Sequence, residues 1–427
     1  MNILVVGGGG REHALVKMLR KSPRCGHIWA LPGNGGLAGE AECVDIPATD
    51  LAAIRDFAAS HEIGLAVIGP DDPLALGLVD ILQELGLPCF GPSRAAARLE
   101  ASKSFAKGLM AQHHIPTAAY ALFDDYDRAC AYVRRQGAPI VIKADGLALG
   151  KGVTVAQSLD EAIEALTLIM RDKVFGSSGD RVLIEECLSG PEVTVLALCD
   201  GHTLIPLPAS MDHKRLLDGD LGPNTGGMGV IAPNPFYTPE IAQQCLETIF
   251  LPTVRAMEHL GSPFKGCLYF GLMLTPEGPK VIEYNSRFGD PEAQAVLPLL
   301  RTDLLELLLA VAEERLDGMQ AELLDAASCC VVLASSGYPG KYAKGLPIRD
   351  EISPQGRADL TVFYAGVSGD GQGTLLTNGG RVLCLTALAP TLDQAQAKCY
   401  ASLDGLGFEG ACFRRDIGAK ALTGGKI

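Results

Sequence analysis

Apolar positions in the first hundred residues fall in short runs separated by helix-length stretches of mixed character. Ile3–Val6, His27–Leu31, Leu65–Ile68 and Pro88–Gly91 read as buried strands, with His13–Arg20, Asp50–Ser60 and Pro73–Leu85 as helices between them. Strands alternating with helices of this length predict a parallel, doubly wound sheet. A helix-period stretch, Ala95–His113, leads into a different pattern. There Pro139–Ala144 and Val153–Ala156 flank a glycine-rich loop, a helix is expected near Asp160–Met170, and Arg181–Glu186 and Val193–Leu198 follow as strands. Cys267–Leu274 and Lys280–Asn285, joined through Pro276-Glu277-Gly278, predict a β-hairpin. Thr302–Leu316 carries strong helical periodicity. Beyond Ser328, short strands with glycine-rich turns run to a last helix near Leu392–Leu403.

A chain of 427 residues exceeds what one core serves. The pattern divides it into an N-terminal α/β unit at 1–100, a central unit at 101–325 with a subdomain at about 120–190, and a small β-rich unit at 326–427. With 48% apolar and 20% charged residues the chain is a folded one, not a disordered one. Its net charge of -14 argues against nucleic acid as a partner, because a duplex demands a basic face. None of the 13 cysteines forms a Cys-x-x-Cys pair, and several lie inside apolar runs, as buried thiols do in a reducing compartment. Met1-Asn2 leads straight into a strand without a basic leader, and no uncharged apolar run is long enough to cross a membrane. A cytoplasmic protein without a membrane partner is the expectation.

Candidate chemistry sits in the glycine-rich segments. Gly7-Gly8-Gly9-Gly10-Arg11-Glu12 follows a strand and opens a helix, where free N–H groups and the helix dipole suit an anion. It is an incomplete dinucleotide fingerprint, since Glu12 replaces the third glycine and no acid ends the second strand. A phosphate or polar substrate, a purely structural turn and NAD all remain open there. Lys143 through Gly152 (KADGLALGKG) places a lysine at a strand end and a second lysine in a loop with three glycines. Such a loop can fold over a polyphosphate; it is not a Walker A motif, because Gly152 stands where a Mg²⁺-binding hydroxyl is needed. Glu185-Glu186-Cys187-Leu188, with Glu192 beyond, exits an apolar strand as an acidic turn or a nucleotide-base hinge. Glu283 and Asn285 point to one face of a strand, a hard-oxygen pair suited to Mg²⁺, and Arg287 continues on that face before Gly289-Asp290-Pro291-Glu292 turns the chain. The stretch 212–229, with Asp212-His213-Lys214-Arg215 and the Gly222–Gly229 run, reads as a long structureless loop whose donors fit an anionic substrate. His213 by itself reads as a satisfied surface histidine.

Together and in this order, these segments resemble the ATP-grasp superfamily, and within it the phosphoribosylamine–glycine ligase family. The resemblance runs nearly end to end: GGGGREHA at Gly7–Ala14, KADGLALGKGV at Lys143–Val153, DHKRLLDGDLGPNTGGMG at Asp212–Gly229, and EYNSRFGDPE at Glu283–Glu292. VVLASSGYPGKYAK at Val331–Lys344, TNGGRV at Thr377–Val382 and RDIG at Arg415–Gly418 extend it. It implies a central ATP-grasp fold with a flexible glycine-rich lid. It also implies ATP as co-substrate with Mg²⁺ (Mn²⁺ as a substitute), and glycine and 5-phosphoribosylamine as the molecules joined by a monomer or dimer. By the resemblance, Lys103 and Lys143 contact the ATP phosphates, and Gly150, Lys151 and Gly152 form the lid. Glu185, Glu186, Leu188 and Glu192 hold adenine and ribose, and Glu283 and Asn285 bind the metal. Asp212, Lys214, Arg287 and the loop of Asn224, Thr225, Gly226, Gly227, Met228 and Gly229 surround glycine and the sugar phosphate. Gly8, Gly9, Gly10 and Arg11 add to the phosphoribosylamine side. Arg287, Lys151, Asp212 and Lys214 are the expected catalytic groups. Many ATP-grasp ligases carry a further acidic ligand on the first strand of the hairpin; Cys267–Leu274 has none, which leaves one firm metal site. Rival readings are another carboxylate ligase such as a biotin carboxylase, a nicotinamide-dependent oxidoreductase, and a nucleotide-sensing module without catalysis.

Overall fold

The computed structural model describes residues 1–148 and 152–424. Five parallel strands form the N-terminal sheet in the spatial order Glu42–Cys43, Ile28–Pro32, Ile3–Gly7, Leu65–Ile68, Cys89–Phe90. Ile3–Gly7 is covered on both faces, which is why it reads as an unbroken apolar run rather than an alternating one. Strand order reverses beside it, so its carboxyl end opens at the topological switch point, where α/β sheets place ligands. The helix Gly10–Leu19 starts there, three residues before the periodic signal, because glycines carry no apolar stripe to mark it.

Two expected helices are each broken in two. Pro73–Leu85 divides into Asp71–Leu76 and Leu78–Gln83 at Gly77, whose φ of +93° is readily accessible only to glycine. Ala95–His113 divides into Arg94–Ala101 and Lys103–Gln112 at Ser102, which is extended and whose hydroxyl accepts from the Phe105 N–H as an N-cap. That break makes Lys103 the first residue of a helix.

Two four-stranded antiparallel sheets follow. One has the order Tyr120–Phe123, Val182–Glu186, Ile140–Ala144, Val153–Ala156. The other runs Leu204–Pro206, Glu192–Asp200, Lys265–Thr275, Gly278–Asn285, the last two being the expected hairpin. The helix Leu304–Ala312 is apolar apart from Glu306, and Leu304, Leu305, Leu307, Leu308 and Leu309 are all buried. It belongs to one continuous core with Ile3 and Val5 of the N-terminal sheet, Leu196 and Tyr269 of the central one, and Val332 and Phe363 beyond.

The stretch 212–229 is not structureless. Arg215–Leu217 pairs with Leu221–Asn224 as a hairpin, and Met211–Asp212 and Gly229–Ala232 are strands. These two join Ala327–Ser335, Arg381–Ala389 and Leu360–Tyr364 in a six-stranded sheet completed by Ala411–Cys412. Gly229 pairs with Val331, a hundred residues away, so nothing local in the sequence marks the strand. The central chain thus contributes two strands to the C-terminal sheet. Among the described residues, no helix is long and apolar enough to cross a membrane.

Candidate active site

One cavity of ≈ 1030 Å³ is lined by residues of both central sheets, the N-terminal unit and the C-terminal sheet. Its charged floor is built by strand alternation. Val141 pairs with Glu185 and Lys143 with Leu183, so Lys143 and Glu185 are diagonal neighbours on one face. Lys143 Nζ lies 3.1 Å from Glu185 Oε2 and donates to the Ile282 carbonyl at 2.9 Å. Lys107 reaches the same Oε2 at 3.0 Å and donates to Thr117 Oγ1 at 2.8 Å. Burial pushes Lys107 down to about 8; Glu185 opposes that and Lys143 adds to it. Glu185 is 2% exposed, and its Oε1 has no partner among the described residues. Lys103 Nζ donates to the Gly146 carbonyl at 2.9 Å, and burial lowers its pKa as well. Asp145 anchors that helix start by accepting from the Ser104 N–H at 2.7 Å and Oγ at 2.8 Å.

Opposite the lysines runs the strand Gly278–Asn285. Glu283 Oε1 is 3.3 Å from Lys214 Nζ, which is also 3.4 Å from Glu192. Lys214 above all, with Lys143 and Lys103, holds the Glu283 carboxyl down at about 2 against its burial, so it is ionised at neutral pH. A Cβ on Gly271, the cross-strand partner of Glu283, would lie 2.9 Å from Glu283 Cγ, so glycine there gives the carboxylate its room. Asn285 Oδ1 accepts from Arg287 Nη2 at 3.2 Å, and Arg287 pairs with the buried Glu100 at 2.9 Å. An ionised carboxylate and an amide oxygen on one strand face fit a hard divalent cation. No group of three His, Cys, Asp or Glu converges among the described residues, so such a cation would draw its other ligands from nucleotide oxygens and water.

The N-terminal glycine turn differs from an open anion cradle. The Gly9 N–H donates to Glu12 Oε2 at 2.6 Å and the Arg11 N–H to Asp290 Oδ2 at 3.3 Å. A Cβ on Gly7, Gly9 or Gly69 would lie 2.7, 2.8 and 2.1 Å from Glu12 side-chain atoms, so these glycines make space for that buried carboxylate. The helix end thus carries its own anions. Arg11, held by Glu12 at 2.7 Å and the Phe288 carbonyl at 3.0 Å, is the part of this segment that lines the cavity.

Of the residues singled out from sequence, Lys103, Lys143, Gly152, Glu185, Glu186, Leu188 and Glu192 line this cavity. So do Arg11, Asp212, Lys214, Asn224, Thr225, Gly226, Glu283, Asn285 and Arg287. Gly8, Gly9, Gly10, Gly227, Met228 and Gly229 are not among its lining residues; Met228 is fully buried and Gly229 opens a strand. Gly150 and Lys151 lie outside the described residues. His213 is buried rather than superficial. Its Nδ1 is 3.1 Å from the Gly229 carbonyl, its Nε2 accepts from the Gly418 N–H at 3.1 Å, and burial lowers its pKa to about 4. It ties the loop to the C-terminal segment, and Arg414 does the same through Asp220 at 2.7 Å. Lys107, Tyr269, Glu292 and Arg381 line the cavity without having been singled out. Lys107 stands four residues after Lys103, one helical turn along the same face, a spacing that could have found it.

Models of the phosphoribosylglycinamide synthetase N domain, ATP-grasp (A) domain and C domain match residues 1–100, 101–293 and 328–420. A phosphoribosylamine–glycine ligase of Yersinia pestis is 47% identical over 429 residues, covering 100% of both chains. The crystal structure of a phosphoribosylamine–glycine ligase from Thermotoga maritima superposes with a TM-score of 0.85 at 33% identity, over 98% of this chain and 100% of that one. A Campylobacter jejuni biotin carboxylase in complex with β,γ-ATP reaches 0.73 at 16% identity, over 96% and 92%, which is a likeness of fold. On the strength of three domain models in register and a relative matched along its whole length, the chain belongs to the phosphoribosylglycinamide synthetase family of ATP-grasp ligases.

Proposed function

We propose that this cavity joins glycine to 5-phosphoribosylamine, with ATP as the activating co-substrate, to give glycinamide ribonucleotide, ADP and phosphate. The observation that carries the reading is the contact of Lys143 Nζ with the Ile282 carbonyl, 2.9 Å apart. It sets the lysine at the root of the glycine loop against the residue next to Glu283, so one triphosphate can touch both.

Lys143 and Lys103 supply cations to the phosphate chain, and Arg287 and Lys214 face the same space. The hinge 185–188 and Glu192 are the supports for adenine and ribose. Mg²⁺, held by Glu283 and Asn285, would neutralise charge on the phosphates it touches. A carboxylate and an amine do not condense at neutral pH without a better leaving group than hydroxide. The glycine carboxylate therefore attacks the γ-phosphorus, ADP departs, and glycyl phosphate forms. The amine of phosphoribosylamine then attacks the acyl carbon and expels phosphate. The protein needs no nucleophile for this; its part is positioning and electrostatics. An acyl phosphate hydrolyses readily, so the loop after Lys143 must close over it and exclude water. The division of the chain near residues 100 and 325 serves this sequence of steps: Arg11 approaches from the N-terminal unit and Arg381 from the C-terminal sheet.

ADP release with each substrate omitted in turn tests the reading. Full turnover requires ATP, glycine and phosphoribosylamine together, and Glu283→Gln lowers it at saturating ATP. ADP release indifferent to glycine contradicts the proposal.

A further inference from the structure

Glu100 stands near the end of the helix Arg94–Ala101, which packs on Asp71–Leu76 of the N-terminal unit and on the strand Gly278–Asn285. It is 8% exposed, and both of its oxygens meet the two residues that follow Asn285. Oε2 accepts from the Ser286 N–H at 2.7 Å, and Oε1 lies 2.9 Å from Arg287 Nη2. The same Nη2 donates to Asn285 Oδ1 at 3.2 Å, and Nη1 donates to the Phe288 carbonyl at 3.4 Å. Arg287 Nε is buried and has no partner among the described residues.

One carboxylate thus fixes both the backbone and the guanidinium beyond Asn285, and the effect reaches Asn285 itself. Nη2 donates only to an acceptor, so the Asn285 amide is turned with Oδ1 toward Arg287, and the second lone pair of that oxygen stays available to a cation. The same contact sets the guanidinium plane and leaves Nε–H uncommitted. We propose that Glu100 is a positioning residue for phosphoryl transfer: it orients Arg287 and, through Arg287, the oxygen of Asn285 that faces the cation. This rests on the ligase reading above and goes beyond it, since Glu100 acts through protein donors and not through a substrate. Stability does not account for the group. Burial raises its carboxyl to about 7 even with Arg287 beside it, and a buried ion pair contributes little beyond what apolar residues of like size would. What the pair supplies is a single orientation of the guanidinium.

The test compares wild type, Glu100→Gln, Arg287→Met and the double variant. Glutamine keeps the shape but turns an N–H toward either Arg287 or the Ser286 N–H, donor against donor. Glu100→Gln should lower kcat by about 10- to 100-fold, the range for removing an outer partner of a metal ligand, while KM for ATP stays within about threefold. Binding of Mn²⁺ beside a non-hydrolysable ATP analogue, followed by electron paramagnetic resonance without glycine, should weaken by about 10-fold or more. In the Arg287→Met background the same substitution should lower kcat by no more than about twofold, because its path runs through the missing guanidinium. A merely structural Glu100 would lower the urea midpoint and exert its full effect on kcat in both backgrounds. That result overturns the proposal, as does an Mn²⁺ constant that stays put. If Glu100→Gln fails to fold, Glu100→Asp, which keeps the charge but is too short to span Ser286 and Arg287 together, is read by the same criteria. ADP release that ignores glycine in wild type would remove the ligase reading instead, and Mn²⁺ binding would still decide the role of Glu100.

Discussion

Replacing Glu185 by glutamine should destabilise the protein more than replacing Lys143 by methionine, although both changes remove one member of the same buried cluster. Glu185 Oε2 is shared by Lys107 at 3.0 Å and Lys143 at 3.1 Å, and all three side chains are almost fully buried. Glu185→Gln leaves two ammonium groups facing each other without an anion. Breaking a buried pair in this way costs about 3–5 kcal/mol. Lys143→Met leaves the Lys107–Glu185 pair intact. It loses one charge-assisted hydrogen bond, worth about 1.5–3 kcal/mol, and relieves the repulsion between the lysines, for a net cost of about 1–2 kcal/mol. The difference should also depend on pH. Lys107 already titrates near 8, below the ordinary lysine value, with burial as the largest cause. Without Glu185 its folded-state pKa falls further below the unfolded value, so the folded variant binds fewer protons than the unfolded chain and gains stability as pH rises. The gap between wild type and Glu185→Gln therefore widens from pH 8 toward 6. Urea unfolding followed by circular dichroism at both pH values measures this, provided the slope m is unchanged. Turnover separates the variants the other way: Lys143→Met should lose about 10²–10³ in kcat with its fold intact, the scale for removing one group that stabilises transition-state charge. A Lys143→Met protein as unstable as Glu185→Gln, or a gap that narrows at pH 6, would refute the shared-carboxylate account.

Gly227→Ala places a methyl group 2.5 Å from Pro291 Cδ at a φ of +113°, a strain of about 1–3 kcal/mol. Its thermal midpoint should fall and its KM for glycine rise while KM for ATP holds; an unchanged midpoint removes the packing argument. Glu283 is held at about 2, chiefly by Lys214, below its ordinary 4.5. The stability this pairing contributes is present above about pH 4.5 and lost as pH falls toward 2, so the gap between wild type and Lys214→Met should close across that window in acid titrations monitored by fluorescence. A gap constant with pH contradicts the pairing.

What was legible in the sequence follows the range of the interactions involved. The helix Leu304–Ala312 and the hairpin ending at Asn285 announce themselves through local periodicity and turn chemistry, and they hold the core and the Glu283–Asn285 face. The breaks at Gly77 and Ser102 were hidden because the apolar pattern runs through them, while one backbone angle and one side-chain cap decide the outcome. Strands Met211–Asp212 and Gly229–Ala232 are too short to show a period, and they exist because Ala327–Ser335 offers an edge. Position alone leaves the N-terminal glycines open to an anion, a polar substrate or a structural turn, and only the folded side chain reveals that Glu12 takes the space beside Gly7 and Gly9.

The central claim is that this cavity transfers the γ-phosphoryl group of ATP to the carboxylate of glycine before the amide bond forms. Turnover with glycine labelled by ¹⁸O in both carboxylate oxygens, followed by mass analysis of the phosphate released, tests it directly. The account predicts one ¹⁸O atom in each phosphate, carried over when the amine displaces it from the acyl carbon. Unlabelled phosphate, with both labels retained in glycine-derived products or lost to water, would contradict it.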